Sequence, residues 1–181
     1  LFSTGDHPWD DLRFPASGIN PIGAISPPSV DDSETGLPGT LLFSGNQTNM
    51  IAGVAQLPHK WVPGTELHPH IHWLKATGST NAVTWEFYYR IIGNPGHVSG
   101  AWVGPLAGSI VAGDQAVSNE HLLSSFAPID MTGFWESAML AWRVYRRGAT
   151  DAENNAVNLL EFDIHYQSNK MGTEPEIPLP P

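Results

Sequence analysis

Cysteine is absent from the 181-residue chain, which excludes disulfide bonds, thiolate metal sites and a cysteine nucleophile. No run approaches the roughly 18 apolar residues that a membrane-spanning helix needs. Positive charge is scarce, because 8 lysines and arginines stand against 18 aspartates and glutamates, a formal net charge of −10 with histidine neutral. Nucleic-acid binding requires a concentrated basic surface, and the one small arginine cluster, Arg143, Arg146 and Arg147, does not supply it.

Charged residues of either sign make up only 14% of the chain, whereas 41% is hydrophobic. This apolar fraction is sufficient to bury a core, and the length favours a single domain. The 18 glycines and 16 prolines are more than a helical protein of this size carries. The low charge suggests that other subunits cover part of the surface.

The N-terminal part of the chain, residues 1–39, is rich in proline and has no regular hydrophobic period. Proline lacks an N–H donor and restricts the residue before it, so its spacing here disfavours both a helix and a central strand. Large apolar side chains are nevertheless frequent, which a solvated linker would not carry. The sequence predicts an extended arm that lies on a surface of its own chain or of a neighbour.

Both ends of the chain are interpreted as partner-binding segments. Residues 172–181 form a shorter Pro-rich tail with polyproline II character. Buried aromatic and aliphatic anchors contribute much of the energy of protein contacts. The residues predicted to contact a partner are Trp9, Leu12, Arg13, Phe14, Ile19, Ile177 and Leu179.

Between these ends, over residues 40–171, apolar and polar residues alternate with a period of two, which is typical of antiparallel sheets with one solvent-facing side. The predicted strands are Thr40–Ser44, Met50–Gln56, Leu67–Trp73, Ala82–Ile91, Ser137–Arg146, Asn158–Tyr166 and, more weakly, His121–Ala127. A helix over Ala116–Phe126 competes with the last of these. The sequence predicts an all-β protein, a jelly-roll-like antiparallel β-sandwich with an N-terminal arm and a short C-terminal tail.

Histidine is the most distinctive residue of these strands. His68, His70 and His72 share one face of their strand, because residues two apart point to the same side. Together with His165 they would form a metal site, if the last strand is a neighbour. Two or three imidazoles with a carboxylate suit Zn, Fe, Ni or Mn. The other interpretation is that the histidines form hydrogen bonds on a solvent-facing or intersubunit surface.

The last predicted strand, Asn158–Tyr166, separates apolar from polar side chains. Leu160, Phe162 and Ile164 are predicted to face the core, and His165 lies on the opposite face with the acidic residues of the strand.

The spacing from Gly64 to His70 and His72 resembles the first half of the cupin motif, whose metal ligands lie on such a strand. A cupin carries a glutamate shortly after the second histidine, where this chain has Ala76 and Thr77. The partial resemblance implies an alternative function, that of a cupin-like metal-dependent enzyme or sugar binder.

Five phrases spread along the chain carry a second resemblance. They are Trp9-Asp-Asp-Leu-Arg-Phe-Pro15, Gly39-Thr-Leu-Leu-Phe43, Pro69-His-Ile-His-Trp73, Ile129-Asp-Met-Thr-Gly133 and Glu161-Phe-Asp-Ile-His-Tyr166. Together they resemble small proteins encoded among the structural genes of tailed bacteriophages. The resemblance implies a non-enzymatic virion protein, without cofactor, that decorates or cements the outer surface of the capsid.

In that role the chain would bind the major capsid protein across capsomer junctions, as a homo-oligomer for which a trimer is expected. Closed symmetry is usual for such assemblies. Neither nucleic acid nor membrane is an expected partner. A neck, tail or fibre-base protein of the same particle is the alternative within the virion.

Overall fold

The computed structural model of the chain describes residues 7–21, 27–31, 37, 39–93, 100–106 and 118–169. Over these residues the fold is an antiparallel β-sandwich, as predicted, with one short 3₁₀ turn at Ala16–Gly18. None of the helical structure described is long and apolar enough to cross a membrane. The strands are β1 Trp9–Pro15, β2 Ser29–Asp31, β3 Thr40–Phe43, β4 Thr48–Gln56, β5 Leu67–Lys75, β6 Trp85–Ile92, β7 Val103–Leu106, β8 His121–Ser125, β9 Met139–Arg147 and β10 Val157–Gln167.

The strands form two sheets. The first sheet has the order β2-β3-β10-β5-β8, and β1 also pairs with β10. Because β10 is long, β3 pairs with its first part and β1 with its later part along the same side. The second sheet has the order β4-β9-β6-β7. Six of the eight described strand pairings therefore join strands that are not consecutive in the sequence.

All six strongly predicted strands are present, with ends that differ by a few residues from those predicted. The weaker candidate is also a strand, β8. The competing helix is wrong over the described part of its range. Leu122 is 3% exposed and packs in the core, whereas its neighbour Leu123 is 52% exposed on the other face, which is the alternation of a strand.

Two parts of the predicted arm, β1 and β2, are strands of the first sheet. β1 pairs along its whole length with β10, from Trp9 opposite Gln167 to Pro15 opposite Glu161. Pro15 is tolerated because it ends the strand and no other described strand pairs with β1 on its far side. Residues 1–6, 22–26, 32–36, 38 and the tail 172–181 lie outside the described residues.

The core lies between the two sheets and is built largely from aromatic side chains. Trp61, Trp73, Trp85 and Trp142 are all at most 2% exposed. The predicted inward faces of β6 and β9 are confirmed, since their alternate apolar residues are buried. These four tryptophan side chains therefore belong to the core and are not exposed for binding a ligand.

One predicted core residue is on the wrong side. Leu160 faces the outer surface of the first sheet, whereas Leu159 and Phe162 are both fully buried. The pairing of β10 with β5 shifts register between Leu159 and Glu161. A β-bulge adds one residue to a strand, so the side chains before and after it change faces relative to strict alternation.

Candidate functional site

A pocket of about 520 Å³ opens on the outer face of the first sheet. Cross-strand pairing builds it: Asp163 on β10 lies between Arg13 on β1 and His70 on β5, and Asp11 lies opposite His165. Alternation along each strand turns these side chains away from the core. The lining contains four histidines, three carboxylates, one arginine and two leucines. We call it the histidine pocket.

Its centre is the contact between His70 and Asp163. His70 Nε2 lies 2.6 Å from Asp163 Oδ1, and both side chains are 7% exposed. No hydrogen bond of acceptable geometry from a described residue reaches that carboxylate oxygen. The ring of His165 packs edge-on against His70 with centroids 4.2 Å apart. A metal-ligating atom of each of these three residues lies within 4.8 Å of the other two.

Further contacts surround the pair formed by His70 and Asp163. His72 Nδ1 lies 2.7 Å from His121 Nε2, and His72 Nε2 lies 3.3 Å from Asp163 Oδ2. His165 Nε2 lies 3.0 Å from Asp11 Oδ1. These contacts hold the rings of the pocket in place and use the second oxygen of Asp163.

On the open side of the pocket, Arg13 donates two hydrogen bonds to Glu161, at 2.6 and 2.7 Å. The pair is bidentate, the geometry in which arginine binds a carboxylate most strongly. Arg13 is 67% exposed, so the pair closes the rim without filling the pocket.

The two histidines that β5 contributes to the pocket, His70 and His72, differ in basicity. Burial lowers the pKa of His70, but the neighbouring Asp163 carboxylate raises it by more, so the pKa ends above its ordinary value. Burial also lowers the pKa of His72, and the charges of His70 and His121 lower it further, against the attraction of Asp163. His72 is therefore the more readily neutral of the two rings.

The structure brings together three of the four histidines considered as metal ligands. His70, His72 and His165 line the pocket because β5 and β10 are neighbours. His68 does not take part: its Nε2 lies 3.6 Å from Glu66, and its ring packs against Trp9 with centroids 4.9 Å apart.

Three further residues of the pocket were not assigned by the sequence. His121 arrives on β8, whose place beside β5 depends on the tertiary fold. Asp11 lies on β1, a segment for which the sequence pattern predicted no strand. Asp163 carried a usable signal, since it lies two residues before His165 and must share its face.

The residues predicted to contact a partner divide into three groups. Leu12, Phe14 and Ile19 are partly buried against the core of their own chain. Trp9 remains 50% exposed beside His68, and Arg13 pairs with Glu161. The other two predicted contacts, Ile177 and Leu179, lie outside the described residues.

The outer face of the second sheet has a different character. Arg90, Arg143 and Arg147 lie on it, because the alternate residues of β6 and β9 face the core. Among the described residues of these two strands, Glu86 is the one acidic side chain on the same face. Three positive charges against one leave this face at +2 in a chain of −10.

Aromatic side chains lie among these arginines. The guanidinium of Arg143 lies 3.8 Å from the centroid of the Trp102 ring, and that of Arg147 lies 4.9 Å from the Tyr145 ring. Tyr145 in turn packs edge-on against Tyr88 at 5.3 Å. Exposed apolar residues flank the group. We call the whole surface the arginine face; its members are Arg90, Arg143, Arg147, Tyr88, Tyr145, Trp102, Val54 and Ile92.

The arginine face should carry an acid-sensitive ion pair. Arg147 Nη2 donates to Glu86 Oε2 at 2.5 Å, and Tyr88 donates at 3.0 Å. These bonds, chiefly that of Arg147, hold the pKa of Glu86 below its ordinary value of 4.5 against the effect of burial. A lowered folded-state pKa contributes stability above the ordinary value, and that stability is lost as the pH falls through the folded pKa.

We therefore expect the wild type to lose about 1 kcal/mol more stability than the E86Q variant between pH 7 and pH 3.5. Urea unfolding of both proteins at the two pH values measures the difference. Equal losses of unfolding free energy in the wild type and the variant would contradict a stabilising role for the ion pair between Glu86 and Arg147.

No family model and no curated protein matches the chain. Solved structures with a similar fold include the CBM22-1–GH10 modules of endo-1,4-β-D-xylanase 10B from Clostridium thermocellum complexed with xylohexaose, at 9% identity and a TM-score of 0.42, over 92% of this chain and 27% of that one.

An arabinose-bound GH51 α-L-arabinofuranosidase is similar at 14% identity and a TM-score of 0.38, over 80% of this chain and 22% of that one. CBM27-1 of Caldicellulosiruptor saccharolyticus, in complex with mannohexaose, is similar at 10% identity and a TM-score of 0.35, over 85% of this chain and 96% of that one. The chain thus spans about a quarter of the length of the first two. At these identities the likeness concerns the fold alone.

Proposed function

We propose that the protein is a non-enzymatic structural component of a tailed-phage virion, a decoration or cement protein on the outer surface of the capsid. It binds the major capsid protein across capsomer junctions. Cementing acts by mass action, since a partner that binds only the assembled lattice stabilises that lattice. The observation that carries the proposal is the arginine face, taken together with the phage-like phrases of the sequence.

The composition of the arginine face is that of a protein interface. Tyrosine, tryptophan and arginine are enriched among the residues that dominate binding energy, and lysine and glutamate are depleted at interface centres. Arg143 stacked on Trp102 presents a rigid, partly desolvated cation. The exposed Val54 and Ile92, 56% and 44% exposed, supply apolar area at the border.

The charge of the face indicates the chemistry of its partner. The arginine face has a net charge of +2, whereas the whole chain has a net charge of −10. This contrast orients the chain toward an acidic patch, because complementary potentials steer association and disfavour wrong orientations. The partner surface on the capsid protein is therefore acidic. Three copies in one trimer would place three such faces on one junction, and linked contacts of this kind strengthen binding without any new contact.

The test uses heads that lack the protein, prepared from a deletion mutant of the encoding phage. We expect the wild-type chain to sediment with these heads, and R143E to bind at least about tenfold more weakly, since it places like charges together. K60E is the matched control: it makes the same change of charge at a half-exposed lysine that pairs with Asp10 beside the first sheet.

Equal binding of R143E and wild type would exclude the arginine face as the docking surface. The position of the chain in the virion is then read by electron cryomicroscopy of the decorated particle. Density on the outer surface of the head supports the proposal. Density at the neck, tail or fibre base would replace it with the alternative virion role, and absence from the particle would overturn it.

A further inference from the structure

The histidine pocket contains a set of donor atoms that no part of the proposed function uses. The nitrogen and oxygen ligand atoms of His70, Asp163 and His165 all lie within 4.8 Å of one another. Tetrahedral zinc at about 2.0–2.2 Å from each ligand places the ligand atoms about 3.3–3.6 Å apart. Binding therefore requires side-chain shifts of about 1 Å, which bring the more distant atoms closer and widen the 2.6 Å contact between His70 and Asp163.

The second observation is the buried carboxylate of Asp163, whose Oδ1 contacts His70 Nε2 without the alignment of a hydrogen bond. The residue is 5% exposed, yet its Oδ1 accepts no hydrogen bond of acceptable geometry from the described residues. A buried carboxylate oxygen without a donor is costly. Oδ1 lies 2.6 Å from His70 Nε2, and a cation bound between the two atoms would replace this direct contact. The other oxygen, Oδ2, lies 3.3 Å from His72 and so orients the carboxylate.

The electrostatics of the pocket favour a cation. Asp11, Glu161 and Asp163 bring three negative charges, and Arg13 brings one positive charge. Arg13 is held at the rim by its bidentate bond to Glu161. His72 and His121 face the same space, in contact with each other at 2.7 Å. With the imidazoles neutral, the pocket carries a charge of −2.

The type of ligand selects the ion. Two imidazole nitrogens and one carboxylate oxygen suit first-row divalent metals, whereas Mg²⁺ and Ca²⁺ prefer oxygen ligands throughout. We infer that His70, Asp163 and His165 bind a divalent transition-metal ion of the zinc type, with its open side toward the histidine pocket. The site lies on the opposite sheet from the arginine face, so it is independent of the proposed docking.

Isothermal titration of the untagged full chain with Zn²⁺ at pH 7.5 tests the site, and absorption of the Co²⁺-loaded chain reports the coordination. We expect one ion per chain. H165Q and D163N should each bind Zn²⁺ at least about tenfold more weakly. His165 is 41% exposed, so H165Q is expected to fold, and circular dichroism checks that both variants do.

His68 provides the matched control, because it lies on the same face of β5 as His70 but outside the pocket. H68Q should bind Zn²⁺ as the wild type does and should show the same rise in Tm on loading. Wild-type affinity in H165Q, an equal loss in H68Q, or equal binding of Mg²⁺ would overturn the site. None of these outcomes involves the capsid, so they are separable from failure of the proposed function.

Discussion

Replacing Arg146 by alanine should lower the free energy of unfolding by about 3–5 kcal/mol, the cost of breaking a buried ion pair from one side. Arg146 lies on the core side of β9, and its side chain and that of Asp151 are both 0% exposed. Its Nε lies 3.2 Å from Asp151 Oδ2. The variant would leave that carboxylate buried without its cation.

The guanidinium also binds three backbone carbonyls. Arg146 Nη1 donates to Phe43 and Asn155 at 2.8 Å, and Nη2 donates to Glu153 at 2.6 Å. One side chain thereby fastens the end of β3 and the loop between β9 and β10 to the second sheet. Lysine cannot make these forked contacts, so we expect R146K to lose most of the same stability.

Urea unfolding followed by tryptophan fluorescence measures the loss. R143A is the control, because Arg143 is on the same strand but faces outward, and it should change stability by less than about 1 kcal/mol. If R146A does not fold, D151N tests the same pair, since its amide keeps a hydrogen-bonding group but removes the charge. A loss below about 1 kcal/mol in R146A would contradict the role of the network.

The second large effect is expected at Trp142, where truncation to alanine should cost about 3–5 kcal/mol. Trp142 is 1% exposed and joins both sheets and the N-terminal strand. Its ring packs against Phe162 at 4.6 Å and against Phe14 at 5.0 Å. Removing the ring leaves a cavity that the rigid sheets cannot close.

Gly53 on β4 explains how this ring fits. A Cβ atom at Gly53 would lie 2.4 Å from Cζ2 and 2.7 Å from Cε2 of Trp142, closer than atoms approach without a shift. The glycine leaves the space that the indole occupies. G53A should therefore cost about 1–3 kcal/mol through overpacking.

A double-mutant cycle separates this clash from other effects of the glycine. In G53A/W142A the added methyl group meets a cavity, so the combined loss should be smaller than the sum of the two single losses. Urea unfolding of the four proteins gives the coupling. Strictly additive losses would show that G53A acts through the backbone of β4 instead of through the indole.

The alternation of side chains was sufficient to predict seven of the ten described strands, because burial of one face is imposed residue by residue along the chain; the strands β1, β2 and β7 were not predicted. Leu67, Ile71 and Trp73 are buried, as their positions require, and His70 and His72 lie on the other face. The same rule placed Asp163 with His165. It failed at Leu160, where a bulge that depends on the partner strand β5 changed the period.

The neighbours of each strand were decided by the tertiary fold. His121 lies 49 residues from His72 in sequence, and Asp11 reaches His165 only because β1 pairs with β10. Arg146 lies beside Arg147 in the sequence, yet one is buried and the other faces solvent. The sequence by itself determined seven of the ten described strands, most of their faces and the acidic, cysteine-free character of the chain. Strand order, the histidine pocket and the arginine face were decided by hydrogen bonding between distant segments, which no local pattern records.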